Sequence, residues 1–270
     1  MDQLVTATRD DRDRALERLR DHIVLSVESA RKVEAPFYHL QLDRVFPDDV
    51  YAGMLAAMPV AADYRPLHGR NQCNMLPDGT PTRVKIDLFP EYIRHFPAEK
   101  RATWDLVGRA LCSEAVKQVF VRQLAPALRR RFGPDYGKTG MYPIPVLTRD
   151  VPGYLITPHT DTRWKGITVQ LYLPRDTSTT HIGTIFHEKL PDGSLPKRAQ
   201  MKFAPNTGYA FAVGEDTWHS ADPVGPEVTT RDSILHTYFV DSGVLRYLRN
   251  RGKRIGNLVR NEARSYAARP

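Results

Sequence analysis

The chain has 270 residues, 41% hydrophobic and 26% charged, with a formal net charge of +8 and a pI near 9.5. That length can bury a full core, and the composition is ordinary for a soluble globular protein. No apolar run reaches the length of a membrane span, Met1-Asp2-Gln3 lacks the basic and apolar regions of a signal peptide, and Cys73 and Cys112 are too few for a disulfide framework. Cytoplasmic thiols are the expectation.

Residues 9–33 are expected to form an amphipathic helix, with Leu16, Leu19, Ile23, Val27 and Ala30 recurring every three or four residues and Pro36 as the stop. Phe37–Leu42 reads as a strand, and Asp48-Asp49 opens a short helix running to Met58 before Pro59. Val60–Pro90 reads as a long loop with a strand at Arg83–Leu88. Ala98–Phe132 is expected to be helical in two pieces, with Trp104, Val107, Leu111, Val116, Val119, Phe120, Leu124 and Leu128 as the core stripe. Gly133-Pro134 ends that helical part. From Met141 to Val240 strand signals dominate, parted by turn clusters at Pro174–Thr180, Pro191–Pro196 and Pro223–Thr230. Val244–Arg264 reads as a basic helix. The organisation expected is a single domain: a mainly helical part with lead-in strands over 1–140, a strand-rich core over 141–241, and a basic tail over 242–270.

The positive excess falls largely in Arg129-Arg130-Arg131 and in Arg246–Arg264, a helix end and a tail. Such runs are usually solvated faces, so nucleic acid is not the expected partner. No signal for an oligomeric state is present.

Chemistry concentrates at Pro158-His159-Thr160-Asp161 and at His219. Two imidazoles and one carboxylate are the ligand set of the facial triad that leaves open positions on a non-haem Fe(II). The run Gly153–Thr162 favours extended backbone, and on a strand residues two apart point to one face, so His159 and Asp161 can grip one ion together. His219 must then come from a distant strand, which a jelly-roll or cupin barrel supplies. The remaining histidines, including His181 and His187, are read as ordinary surface or core residues.

Arg149 to Asp161, with its Pro152-Gly153 turn and Pro-His-x-Asp ending, resembles the metal-binding strand of the prolyl-hydroxylase-like 2-oxoglutarate/Fe(II) dioxygenases. Gly166–Pro174, Gly183–Phe186, Pro205–Ala212, His219 with Pro223-Val224, and Arg231–Leu235 are similar in order to that family's later core strands. The resemblance covers about residues 141–241, with Phe37–Tyr64 as a looser lead-in. It implies an α+β fold with a double-stranded β-helix (jelly-roll, cupin-like) core and packed N-terminal helices. It also implies Fe(II), the cosubstrate 2-oxoglutarate and O2, with ascorbate as a stimulant. His159, Asp161 and His219 become the metal ligands, and Arg231 the cation for the far carboxylate of 2-oxoglutarate. Tyr172 stands where the family commonly has a tyrosine donating to that carboxylate, and Ser233, Gln170 and Thr168 are expected to line the cosubstrate pocket. Asp150 stands where prolyl hydroxylases often place a tyrosine, which departs from that branch. Halogenases of the superfamily usually replace the carboxylate ligand with a small residue, so Asp161 favours hydroxylation.

The expected substrate is a small molecule, such as a free amino acid or a natural-product intermediate. Arg163, Lys165 and Arg70 are candidates to receive an anionic group on it, and Trp164 to cover it. Peptidyl hydroxylation and a non-catalytic jelly-roll binder are the alternatives.

Overall fold

A computed structural model describes residues 8–67 and 75–241 of the protein. The chain opens on α1 (Arg9–Glu28), where Thr8 and Asp11 form a reciprocal capping box. The helix stops at Glu28, short of the expected residue 33, because Arg31–Val33 instead forms β1 and pairs with β2 (His39–Leu42). Helix periodicity in those last residues loses to backbone pairing at a sheet edge. Then follow α2 (Asp48–Ala56), the two-residue β3 (Arg65–Pro66) and β4 (Arg83–Asp87). The expected basic helix over 244–264 lies outside the described residues.

After the single turn α3 (Pro90–Ile93), the helical stretch divides into three pieces rather than two: α4 (Ala98–Leu111), α5 (Glu114–Gln123) and α6 (Ala125–Phe132). The Ser113 hydroxyl caps α5 by accepting from the Val116 N–H. Gly108 lets α4 lie against β4's exit, since a Cβ there would meet the Leu88 carbonyl. Among the described residues, no helix is long and apolar enough to cross a membrane.

The strand-rich part supplies β5 (Met141–Asp150), β6 (Ile156–His159), β7 (Lys165–Tyr172), β8 (Ile185–His187), β9 (Lys197–Gln200), β10 (Gly208–Ala212), β11 (His219–Ala221) and β12 (Arg231–Val240). Together with β1–β4 they form two antiparallel sheets: eight strands in the order β1-β2-β10-β7-β12-β5-β4-β3, and four in the order β6-β11-β8-β9.

Alternation along the large sheet separates two interiors. Ile167, Val169 and Leu171 of β7 and Ile234 and Tyr238 of β12 join Trp104, Val107, Val119 and Phe120 of the helices in one apolar core. The opposite face carries Tyr172, Tyr209 and Phe211, which pack with Phe186, Met201 and Phe203 in a second core. That second face is not wholly apolar. Thr168, Gln170, Ser233, Thr148, Asp150 and Arg231 are all buried on it. A row of buried polar groups on one face of a sheet needs partners, and the candidate site supplies them.

Candidate active site

Strand β6 lies at the edge of the small sheet, where Pro158, lacking an N–H, is tolerated. Its last residue, His159, is the direct antiparallel partner of His219, the first residue of β11. The two rings lie 4.3 Å apart between centroids. Asp161 is not on the strand, which ends at His159. Its carboxylate is placed by side chains instead: Lys165 Nζ donates to Oδ1 and Thr168 Oγ1 to Oδ2, each at 2.6 Å. One ligand atom from each of His159, Asp161 and His219 falls within 4.8 Å of the others.

These groups suit a divalent cation. His159 Nδ1 meets the Thr157 carbonyl at 2.9 Å and His219 Nδ1 meets the Thr217 carbonyl at 3.0 Å. A carbonyl only accepts, so each Nδ1 carries the proton and each Nε2 keeps its lone pair for a metal. Burial pushes His219 down to about 4, against the pull of Asp161, so its ring is neutral at pH 7. For Asp161, burial favours the protonated form. Lys165, His219 and the Thr168 hydroxyl outweigh it and hold the carboxyl below its usual range. The site therefore presents two imidazoles with Nε2 free to face an ion, the His219 ring neutral, and one ionised carboxylate.

Arg231 is almost completely buried and sits opposite Asp150 in the β5–β12 ladder. Its Nη1 donates to Asp150 Oδ2 at 2.8 Å, Nε to the Ile182 carbonyl at 2.8 Å, and Nη2 to Thr184 Oγ1 at 3.4 Å. Burial opposes its charge, but the Asp150 carboxylate overcomes that and raises its pKa. The Tyr172 hydroxyl donates to Thr184 Oγ1 at 3.0 Å and accepts the Thr184 N–H at 3.0 Å, while the Tyr209 hydroxyl reaches the same Oγ1 at 3.1 Å. Gly183 makes this convergence possible, because a Cβ there would lie inside the Met201 carbonyl. Next along the face, Ser233 Oγ receives Gln170 Nε2 at 2.5 Å and contacts Thr148 Oγ1 at 2.9 Å.

Of the residues read from sequence, His159, Asp161 and His219 meet at one point, and Arg231, Tyr172, Gln170 and Ser233 share the inner face with Thr168. Two contacts change the expected picture. Thr168 gives its hydroxyl to Asp161, so it holds the carboxylate, and Lys165 is ion-paired with Asp161 rather than facing outward for an anionic substrate group.

Arg163 and Trp164 line a cavity of about 760 Å³, together with Asp161, Phe37, Arg131 and Glu215. Arg131 of α6 shapes this wall by donating to the carbonyls of Arg163, Lys165 and Val213. Arg70 lies outside the described residues.

Arg83 and Thr184 escaped the sequence reading, and Arg131, read as part of a solvated run, is instead half-buried on the backbone carbonyls of the cavity wall. For Arg83 a signal existed: Arg83, Lys85 and Asp87 put three charges on one face of a strand whose alternate residues, Val84 and Ile86, are apolar.

No protein-family model matches the chain, and no curated protein matches it. Solved structures do. A prolyl-4-hydroxylase from Pseudomonas putida shares 16% identity at a TM-score of 0.46, over 81% of this chain and 99% of its own. A prolyl hydroxylase from Trichoplax adhaerens, in complex with a hypoxia inducible factor oxygen degradation domain peptide fragment, shares 8% at 0.44, over 87% and 94%. An oxidoreductase of the 2OG-Fe(II) oxygenase family from Burkholderia pseudomallei shares 13% at 0.45, over 83% and 92%.

Proposed function

We propose that the protein is a Fe(II)/2-oxoglutarate-dependent dioxygenase that hydroxylates a small molecule, its two sheets forming a double-stranded β-helix within a single catalytic domain. The observation that carries this reading is the meeting of His159, Asp161 and His219 within 4.8 Å, with both Nδ1 atoms tied to carbonyls. Bound there, Fe(II) would supply the chemistry by which O2 and 2-oxoglutarate turn a substrate C–H into C–OH, with release of succinate and CO2.

The chain's own part is to bind and to orient. The Thr157 and Thr217 carbonyls fix the imidazoles in the tautomer that offers Nε2. Thr168 and Lys165 keep Asp161 ionised and aimed. Arg231 offers a permanent charge on the inner face, and two of its five N–H groups remain for the far carboxylate of 2-oxoglutarate. The cavity reaches Asp161, and its volume falls in the range of about 300–1,000 Å³ typical of sites for drug-sized molecules. Arg163 and Trp164 on its wall suit a substrate with an anionic group and an apolar body.

The test is succinate release by purified protein with Fe(II), ascorbate and 2-oxoglutarate, screened over small molecules and peptides, with product masses recorded in the presence of chloride. Substrate-dependent succinate with a gain of one oxygen supports the reading. Turnover with peptides alone replaces the substrate class, loss of two hydrogens replaces the reaction, and absence of Fe(II) binding removes the function.

A further inference from the structure

Arg83, Asp150 and Arg231 are Cα partners in a straight row across β4, β5 and β12. Asp150, with no exposed surface, lies between two guanidiniums. Arg83 grips it with both prongs, Nε to Oδ1 at 2.5 Å and Nη2 to Oδ2 at 2.8 Å, whereas Arg231 lends it only Nη1, at 2.8 Å. Two permanently charged guanidiniums and one carboxylate leave one net positive charge in a buried place. Among the described residues, the other groups in contact with Arg231 are neutral: the Ile182 carbonyl, Thr184, and the rings of Tyr172 and Phe203. An uncompensated buried charge is costly and favours an anion.

The division of hydrogen bonds says which arginine carries the surplus. Arg83 makes the bidentate fork that matches a carboxylate, and it also stacks on Tyr154 at 4.2 Å, so its charge is spent on Asp150. Arg231 shares Oδ2 and keeps part of its fork for another partner.

We propose that Arg83 is a positioning residue for the cosubstrate: by neutralising Asp150 across the sheet, it leaves the charge of Arg231 for the distal carboxylate of 2-oxoglutarate, without touching the cosubstrate itself. This rests on the dioxygenase reading. Without Arg83, Asp150 would claim Arg231 in full and the row would be neutral. Without both Arg83 and Asp150, the surplus charge would return.

The experiment is calorimetric titration of 2-oxoglutarate into Mn(II)-loaded protein, which reads binding without turnover. Arg83→Gln is expected to weaken 2-oxoglutarate about a hundredfold, as for loss of one partner from a buried ionic group. Adding Asp150→Asn is expected to restore affinity to within about threefold of the original protein. Mn(II) affinity should be alike in all forms. A double variant as weak as Arg83→Gln overturns the inference, since Arg83 would then touch the cosubstrate. If Arg83→Gln alone does not fold, the double variant against the original protein still decides. An original protein that binds Mn(II) but no 2-oxoglutarate removes the dioxygenase reading and the inference together, whereas tight binding with an unrescued double variant removes the inference alone.

Discussion

His159 and His219 face each other as paired residues of β6 and β11, with ring centroids 4.3 Å apart and each Nδ1 tied to the carbonyl of the residue two positions before it. Neither ring can turn without breaking that hydrogen bond, so both Nε2 atoms are aimed before any ion arrives. His219→Ala should therefore abolish stoichiometric Fe(II) or Mn(II) binding while leaving the circular dichroism of the sheets intact. Full-affinity metal binding by this variant would sink the triad.

Asp161 depends on its neighbours because it stands beyond the end of β6. Groups that orient a metal ligand are typically worth about 10- to 100-fold in metal affinity. Thr168→Val, which keeps the shape and removes the donor to Oδ2, is expected to weaken Mn(II) binding by about that factor. Unchanged affinity would mean that Lys165 alone holds the carboxylate.

Arg231→Leu deletes the charge proposed to receive 2-oxoglutarate. Breaking a buried charge pair costs about 3–5 kcal/mol, so 2-oxoglutarate affinity should fall by a factor on the order of hundreds or more. Metal affinity should change little. Equal losses for both ligands, measured by titration, would point to a collapsed site instead.

His236 lies in the helix-side core with no exposed surface and, among the described residues, no hydrogen-bond partner for either ring nitrogen. Burial pushes it down to about 3 from an ordinary 6.5. Above pH 6.5 it is neutral folded or unfolded and stability is unaffected; as pH falls below 6.5 the unfolded chain takes up a proton that the folded core refuses. By pH 5 the loss is about 2 kcal/mol. Denaturant unfolding of His236→Leu between pH 7.5 and 5 should therefore show a shallower fall than the original protein. Parallel slopes would show that this ring is protonated in the fold.

The extended run into Pro158-His159 was legible because its turn residues are local, but the expected strand alternation did not carry to Asp161, which lies past the end of β6 and is held by Lys165 and Thr168. The apolar stripe of α4 to α6 was legible too, although its three-way division rests on the Ser113 cap and the break at Leu124. The end of α1 was not legible, since Arg31–Val33 becomes a strand only when β2 offers its edge. Lys165 stood near the site in sequence, but its contact with Asp161 depends on how the chain turns between β6 and β7.

By itself the sequence determined which residue types could hold a metal, their order, and helices ahead of a strand-rich part, because those follow from residue chemistry and from periods of two and 3.6 residues. Only the tertiary structure decided which charges meet. Arg83 and Asp150 are 67 positions apart, and Asp150 and Arg231 are 81 apart. No local pattern couples them. Strand order and register bring β4, β5 and β12 side by side, and burial then sets the Asp150 carboxylate between the two guanidiniums.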